Sequence, residues 1–429
     1  MSSPRPPEAA DIPSTRLIGR RGTASVAAAS IVSALAGYVI LVVAARHLTS
    51  EENAEFLVYW SMLFALFGVL GGLQQESTRT VGATIVEPAV RSRSGARVLP
   101  WGLVAGATLA VLVAVTAPLW RQLFVGADVP LPVVVATVLG VVGYAGHVAL
   151  VGATAGGRLW GTSSLLIGAE STVRVVLVLC VVVVGGGVAG LSVASAAATA
   201  TWVVLLLVPA VRRACGARGD VPVRALLRGV LQACLAAAGF AVLVVGFPTL
   251  LRLTTDATAW QAAAPLVLAI SMTRAPLMIP LGTFQGVAIG YFLDPRREAG
   301  AAMARLGVVV AGVGVIGAGA AWLVGPALME LFFGPGYRVD GGLLAGLTFA
   351  SAVLATLVLS GSAALALARH GSYALAWVAA TLAAVACLVM PWSIEVRALT
   401  ALLVGPAVGV AVLVPALRRA RPRARGAAA

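Results

Sequence analysis

The sequence contains no lysine, and all 30 of its basic residues are arginine. Charge of either sign is scarce: 11% of 429 residues, against about 25% in soluble domains. The four cysteines (Cys180, Cys215, Cys234, Cys387) lie too far apart for a CxxC or metal-type spacing, which argues against a disulfide framework or a zinc site. His47, His147 and His370 are scattered and read as incidental. No Ser/His/Asp set or acidic pair stands out, so the chain is not expected to be an enzyme, and no cofactor or metal is implied. Apolar residues fill the space instead, at 60% of the chain and a mean hydropathy of +0.99. That composition excludes a water-soluble globule and equally excludes a disordered chain.

A bilayer core needs about 20 consecutive, mostly apolar residues per helix. Twelve stretches meet this: Thr23–Ala45, Ala54–Leu73, Val98–Leu119, Val129–Gly152, Ser163–Gly185, Val188–Val211, Gly229–Leu251, Ala257–Phe292, Leu306–Met329, Gly341–Leu367, Ser372–Met390 and Ala398–Leu417. The eighth is over-long and carries Pro265, Pro276 and Pro280, which predicts a bend. The runs are continuous rather than alternating, so a porin-like barrel is excluded. The expected fold is an all-α polytopic membrane bundle.

The formal charge of +14 would suggest nucleic acid on a soluble protein; here it is a topology signal. With the N-terminus in the cytoplasm, 23 arginines fall in the inner segments, five in the outer ones (Arg46, Arg121, Arg252, Arg338, Arg397) and two, Arg174 and Arg274, within spans. This bias predicts an even number of helices with both termini inside, and no nucleic-acid partner. Six of the nine tryptophans (Trp101, Trp120, Trp160, Trp260, Trp322, Trp392) fall near expected helix ends, as an interfacial belt requires.

The pattern divides the chain into a disordered cytoplasmic tail at 1–22, a six-helix lobe at 23–211, a cytoplasmic linker at 212–228, a second six-helix lobe at 229–417 and a basic tail at 418–429. A short internal match supports duplication. Leu48-Thr49-Ser50-Glu51-Glu52-Asn53-Ala54 resembles Leu253-Thr254-Thr255-Asp256-Ala257-Thr258-Ala259, an offset of 205 residues. Each half has six helices and starts inside, so the repeats would be parallel.

Gly312-Val313-Gly314-Val315-Ile316-Gly317 fits GxGxxG, but it lies within an apolar helix with no preceding strand, and a dinucleotide site fails on that context. Gly102/Gly106, Gly152/Gly156, Gly282/Gly286/Gly290 and Gly342/Gly346 have the spacing of close helix-packing faces. Charges in the hydrocarbon are more informative, because each is expensive unless paired or wetted. Glu170 and Arg174 are four residues apart on one helix face, so they can form a structural ion pair, line a polar cavity, or make Glu170 a proton-coupling site. Arg274 has no acid one turn away; Gln285, eleven residues on, returns to nearly the same face, and Pro276 and Pro280 free carbonyls nearby. This pattern fits a wetted cavity that receives an anion, the alternative being a pair with Glu170 from the other half. Gln74-Gln75-Glu76-Ser77-Thr78-Arg79 reads either as a helix end at the headgroups or as the polar mouth of a cavity that includes Arg79.

Three stretches resemble the polysaccharide-biosynthesis flippases of the multidrug/oligosaccharidyl-lipid/polysaccharide (MOP) exporter superfamily. They are Val43-Ala44-Ala45-Arg46-His47-Leu48-Thr49-Ser50-Glu51-Glu52, similar to an "aRxLxxxexG" junction with Ala54 or Glu55 in place of its glycine; the run Gly325–Arg338, similar to "GPxllxllfGxxY"; and Arg274-Ala275-Pro276. The resemblance implies a MATE-like bundle of about 12 helices in two parallel six-helix repeats, working by alternating access in the bacterial cytoplasmic membrane. It implies a polyprenyl-diphosphate-linked saccharide as cargo, membrane lipids and glycan-assembly proteins as partners, and Arg274 as a cavity cation; the first helix departs from related lipid flippases in carrying none. The alternatives are an H⁺- or Na⁺-coupled exporter of small molecules and a non-transporting scaffold of a cell-envelope glycan assembly. The topology has a direct test: after removal of the native cysteines, a thiol probe should label a cysteine at Arg218 only from the cytoplasm and one at Asp340 only from outside.

Overall fold

The computed structural model describes residues 20–86, 95–124, 130–274, 299–366 and 369–418. The first half contains α1 (Arg20–His47), α2 (Ser50–Val86), α3 (Val98–Val115), α4 (Ala117–Phe124), α5 (Leu131–Gly156), α6 (Trp160–Val183), α7 (Val188–Ala197), α8 (Thr201–Val204) and α9 (Pro209–Ala214). The second contains α10 (Val223–Phe240), α11 (Phe247–Leu253), α12 (Ala257–Gln261), α13 (Ala264–Arg274), α14 (Ala299–Phe333), α15 (Gly341–Ala366), α16 (His370–Leu388) and α17 (Ile394–Arg418). The fold is an all-α, multi-pass membrane bundle. Among the described residues, eleven helical segments are long and apolar enough to cross a bilayer, and each coincides with an expected stretch. The remaining stretch begins as α12 and α13 and runs into 275–298, outside the described residues. Large apolar side chains such as Val183, Val308 and Ile316 face outward, an arrangement that lipid rather than water accommodates.

Proline sets the departures from plain helices. The stretch expected as one helix over Val188–Val211 breaks into α7, α8 and α9 with two 3₁₀ turns between them. Val208 is extended (φ −81°, ψ 119°) because Pro209 follows it and disfavours helical geometry at that position. After α10 the chain widens into a π turn over Ala241–Val245, where Gly246 N–H donates to Ala241 O at 2.8 Å. Pro248 lies four residues beyond Val244 and has no N–H, so the Val244 carbonyl has no helical donor.

Helix α2 is the spine. Its 37 residues span about 55 Å, well beyond a hydrocarbon core of about 30 Å. The polar run Gln74–Arg79, expected as a helix end, continues as helix to Val86 because it is packed on both sides. A Cβ at Gly152 or Gly156 of α5 would overlap Ser77 and the backbone at Gln74 and Thr78; one at Gly72 would overlap the α10 backbone at Ala233 and Cys234. Gly102 and Gly106 likewise seat α3 on Ala149 and Ala145 of α5, and Gly314 and Gly317 seat α14 on Ala352 and Thr348 of α15. Two glycines of the helical GxGxxG thus form a packing face, while Gly312 has nothing within 4 Å of its Cβ position.

At the arginine-rich end the segment 212–228, expected as a linker, is structured. Ala96 N–H donates to Val221 O (2.9 Å), Gly219 N–H to Ala96 O (2.9 Å) and Val98 N–H to Ala217 O (3.1 Å), and α10 has already begun at Val223. Leu226 and Val230 then join the core of α2, α3 and α5, so α10 is shared with the first half. Two tryptophans expected at the interface are buried instead. Trp120 folds back to donate from Nε1 to Val113 O at 2.9 Å, and Trp260 lies beneath the Arg252 guanidinium at 5.7 Å. Because α2 and α10 meet at backbone distance, Gly72→Val should lower thermal stability by about 1–3 kcal/mol. Gly71→Ala, with nothing within 4 Å of its Cβ position, should leave it nearly unchanged in detergent-solubilised unfolding.

Candidate functional site

Two buried arginines mark the polar interior, one in each half. Arg174, on α6, is 5% exposed and pairs with Glu170 one turn back, itself 5% exposed. The i,i+4 spacing on one helix therefore forms a local ion pair, and Glu170 is not the partner of Arg274. Around this pair the first half builds an aromatic wall. The Arg174 guanidinium lies 4.7 Å from the Phe64 ring centre and 5.6 Å from that of Phe67. Phe67 stacks on Tyr144 at 4.0 Å, and Tyr144 on His147 at 5.6 Å. Tyr59 of α2, in the same apolar cluster as Phe64, Phe67 and Tyr144, bonds to Thr137 at 3.0 Å. Arg174 Nε and His147 Nδ1 are buried without a hydrogen-bond partner. His147, which reads as incidental in the sequence, is thus part of this cluster. The signal for it was helical spacing: Phe64/Phe67 and Tyr144/His147 are each three residues apart and so share a face.

Arg274, at the end of α13, is 8% exposed. It donates through Nη1 to the Val244 carbonyl that Pro248 leaves without a helical donor, and its guanidinium lies 5.4 Å from the Phe247 ring centre. Its Nη2 is buried with no acceptor among the described residues. The freed carbonyl comes from Pro248 on the neighbouring helix. Pro276, Pro280 and Gln285, which the sequence placed beside Arg274, lie outside the described residues.

Helix α1 stands between the two arginine sites. Ser171, next to Glu170, donates to Ser33 Oγ of α1 at 2.7 Å. Five residues on, the Tyr38 hydroxyl donates to Ser271 O of α13 at 3.3 Å. Arg79 is not part of this interior. It forms a bidentate pair with Glu76 (2.8 and 2.7 Å) at the arginine-rich end of α2, with more than half of its side chain exposed. The buried Glu76 carboxylate lies against Gly229 of α10, where a Cβ would overlap it.

The opposite end ties the halves together. Asn53 Nδ2 donates to the Tyr337 hydroxyl at 3.0 Å, Gln261 Nε2 donates to Glu51 at 3.0 Å, and Arg46 caps α14 by donating to the Leu331 and Phe332 carbonyls. Burial pushes the Tyr337 hydroxyl pKa up, and the Asn53 hydrogen bond opposes the rise. Gly334 has φ +111°, a conformation that favours glycine; it turns the chain so that Tyr337 reaches α2. Both members of the internal sequence match open a helix at this end. Thr49 caps α2 reciprocally with Glu52, and Asp256 caps α12 through the Ala259 amide at 2.9 Å, which holds the Asp256 carboxyl below its usual range.

Removing one partner of a buried ion pair strands the other, at a cost of about 3–5 kcal/mol. Arg174→Met should therefore destabilise the protein strongly in thermal unfolding. The double variant Glu170→Gln, Arg174→Met should recover most of the loss.

No family model matches the sequence. In fold the chain is similar to an inward-facing MATE family transporter of the MOP superfamily, with a TM-score of 0.69, 14% identity, and coverage of 90% of this chain and 96% of that one. It is similar to an outward-facing MATE family transporter with a TM-score of 0.65, 13% identity, and coverage of 93% and 94%. A MOP superfamily transporter from Pyrococcus furiosus gives a TM-score of 0.65, 14% identity, and coverage of 93% and 96%. In sequence it is 37% identical over 404 residues to the uncharacterized protein Rv1510 of Mycobacterium tuberculosis (strain ATCC 25618 / H37Rv), covering 94% of this chain and 93% of the relative. The uncharacterized protein Rv3630 of the same strain is 36% identical over 406 residues, covering 94% and 93%. The chain, a MATE-like bundle, belongs to the family of these mycobacterial proteins.

Proposed function

We propose that the chain is a transporter that moves a polyprenyl-diphosphate-linked saccharide, or a similar lipid-linked anion, across the bacterial cytoplasmic membrane by alternating access, for cell-surface polysaccharide biosynthesis. The observation that carries this reading is Arg274. It is buried within the apolar part of the bundle, holds one carbonyl, and has an Nη2 with no acceptor among the described residues. Glu170 is already neutralised by Arg174, which leaves an excess of positive charge. A guanidinium favours bidentate contact with phosphate oxygens, whereas a site for cationic compounds would be acidic. For the similar Pyrococcus furiosus transporter, reverse polarity of the binding pocket is taken to suggest a different function.

Alternating access is supported by the arrangement of the halves. The polar ties at Asn53–Tyr337, Glu51–Gln261 and Arg46–Phe332 lie at one end, beside the apolar cluster that includes Ala54, Leu57, Phe333 and Tyr337, so opening there would separate both. The α2–α10 seam holds the halves throughout. A second reading, an ion-coupled exporter of small molecules, is favoured by the burial of Glu170 beside Ser171, Tyr144 and Arg174, where a carboxylate could exchange a proton.

Proteoliposomes loaded with a labelled polyprenyl-diphosphate sugar separate the two. Losing one charge-assisted contact to phosphate should slow translocation about 10–100-fold in Arg274→Ala, with partial retention in Arg274→Lys. Full activity in the alanine variant would remove the anion-site role. Abolition of a pH-gradient dependence by Glu170→Gln would favour the second reading.

A further inference from the structure

At the arginine-rich end of the first half there is a cavity of about 420 Å³, within the size range of ligand sites. It is separate from both buried arginines. Its floor is apolar, formed by Val81 of α2, Ala153 of α5 and Ala210 and Ala214 around α9. Its rim is cationic: Arg213 and Arg218 both line it, and both are exposed. Arg218 also donates to Gly95 O at 3.0 Å, which fixes the rim to the α2–α3 connection.

The start of α6 forms the other lip, through Leu159 and Thr162. Leu159 occupies the cap position and makes no side-chain hydrogen bond, so the positive end of a 24-residue helix opens at the cavity without a cap of its own. Arg158 makes this placement possible. Its φ of +57°, rare outside glycine, turns the chain sharply between α5 and α6. The ends of α2, α5 and α9 and the start of α6 all meet here, so the cavity lies at the ends of the apolar helices rather than along their middles. Two lining residues, Ile85 (40% exposed) and Leu159 (49%), also present apolar surface outside the cavity.

We propose that this cavity is a binding site for an anionic phospholipid of the surrounding leaflet. The phosphodiester sits between Arg213, Arg218 and the start of α6, and the first methylenes of an acyl chain lie on the Val81–Ala210 floor. The chemistry matches on both counts. Guanidinium groups and an uncapped helix start complement a phosphate, and an apolar floor open to the hydrocarbon complements a chain still attached to it. A zwitterionic lipid would bring its own cation against the two arginines. A water-soluble anion would leave the floor uncovered. Filling the site joins α2, α5, α6 and α9, so the lipid acts as a brace for the first half.

The test is thermal unfolding of the full-length protein, delipidated in a neutral detergent. Phosphatidylglycerol should raise the midpoint by about 3 °C or more. Phosphatidylcholine with the same acyl chains and inorganic phosphate should each raise it far less. Arg213→Gln, which removes rim charge, and Ala210→Trp, which fills the floor, should each abolish most of the phosphatidylglycerol shift. Arg224→Gln, the same charge deletion at the same end but outside the cavity, should keep it. The proposal is overturned if phosphatidylcholine matches phosphatidylglycerol, if phosphate alone reproduces the shift, or if Arg213→Gln responds like Arg224→Gln. Native mass spectrometry gives a second readout. One phosphatidylglycerol should remain bound to the wild type and be lost from Ala210→Trp, and equal retention by both would also overturn the assignment.

Discussion

The approach of α2 to α10 at backbone distance is the contact on which both halves depend. It is possible only because Gly72 presents no side chain to the Ala233–Cys234 backbone. In a bilayer no hydrophobic force draws one apolar helix to another; close van der Waals contact and polar ties do so instead. The seam has both. Gly68 and Gly72 bring the backbones together in the middle. The pair Ser61–Thr249, at 2.7 Å, closes it towards one end, and the buried Glu76 carboxylate against Gly229 closes it towards the other. From this axis α2 reaches α5 through Gly152 and Gly156, and α5 reaches α3 through Ala145 and Ala149. Small residues thus set the closest approaches between helices.

The same medium explains the polar interior. Within hydrocarbon a charge persists only if it is paired or has a carbonyl or a ring to meet. Arg174 meets Glu170 and Phe64; Arg274 meets the Val244 carbonyl and Phe247. Both arginines are held by one strong contact and an aromatic face, and each keeps a buried nitrogen free of a partner. Helix α1 touches both sites through Ser33 and Tyr38, so a movement of α1 would be felt at each.

Much of this was legible from the residues. Hydropathy and length placed the spans, because a helix in lipid must satisfy its backbone internally and needs about 20 residues to do so. The Glu170–Arg174 pair and the glycine faces at Gly102/Gly106 and Gly152/Gly156 follow from helical spacing alone. The Arg274 partner has a local cause, since Pro248 removes the helical donor for Val244, but Pro248 is 26 residues from Arg274 whereas Pro276 and Pro280 are its sequence neighbours. The aromatic wall was harder. Phe64, Phe67, Tyr144 and His147 sit among many apolar residues, and only the rotation of α2 and α5 about their axes turns them towards Arg174.

The sequence by itself determined that this is a many-helix membrane protein with its arginines concentrated at one end, since composition and run length depend only on local solvation. It also determined which residues would be expensive in the membrane. Only the tertiary structure decided their partners. The Arg274–Val244 contact spans 30 residues and the Asn53–Tyr337 tie spans 284. Neither is encoded in any local period; both depend on how helices are rotated and set against one another. The tryptophans show the same limit. Proximity to a helix end suggested the interface for Trp120 and Trp260, but the fold of the chain around them buried both.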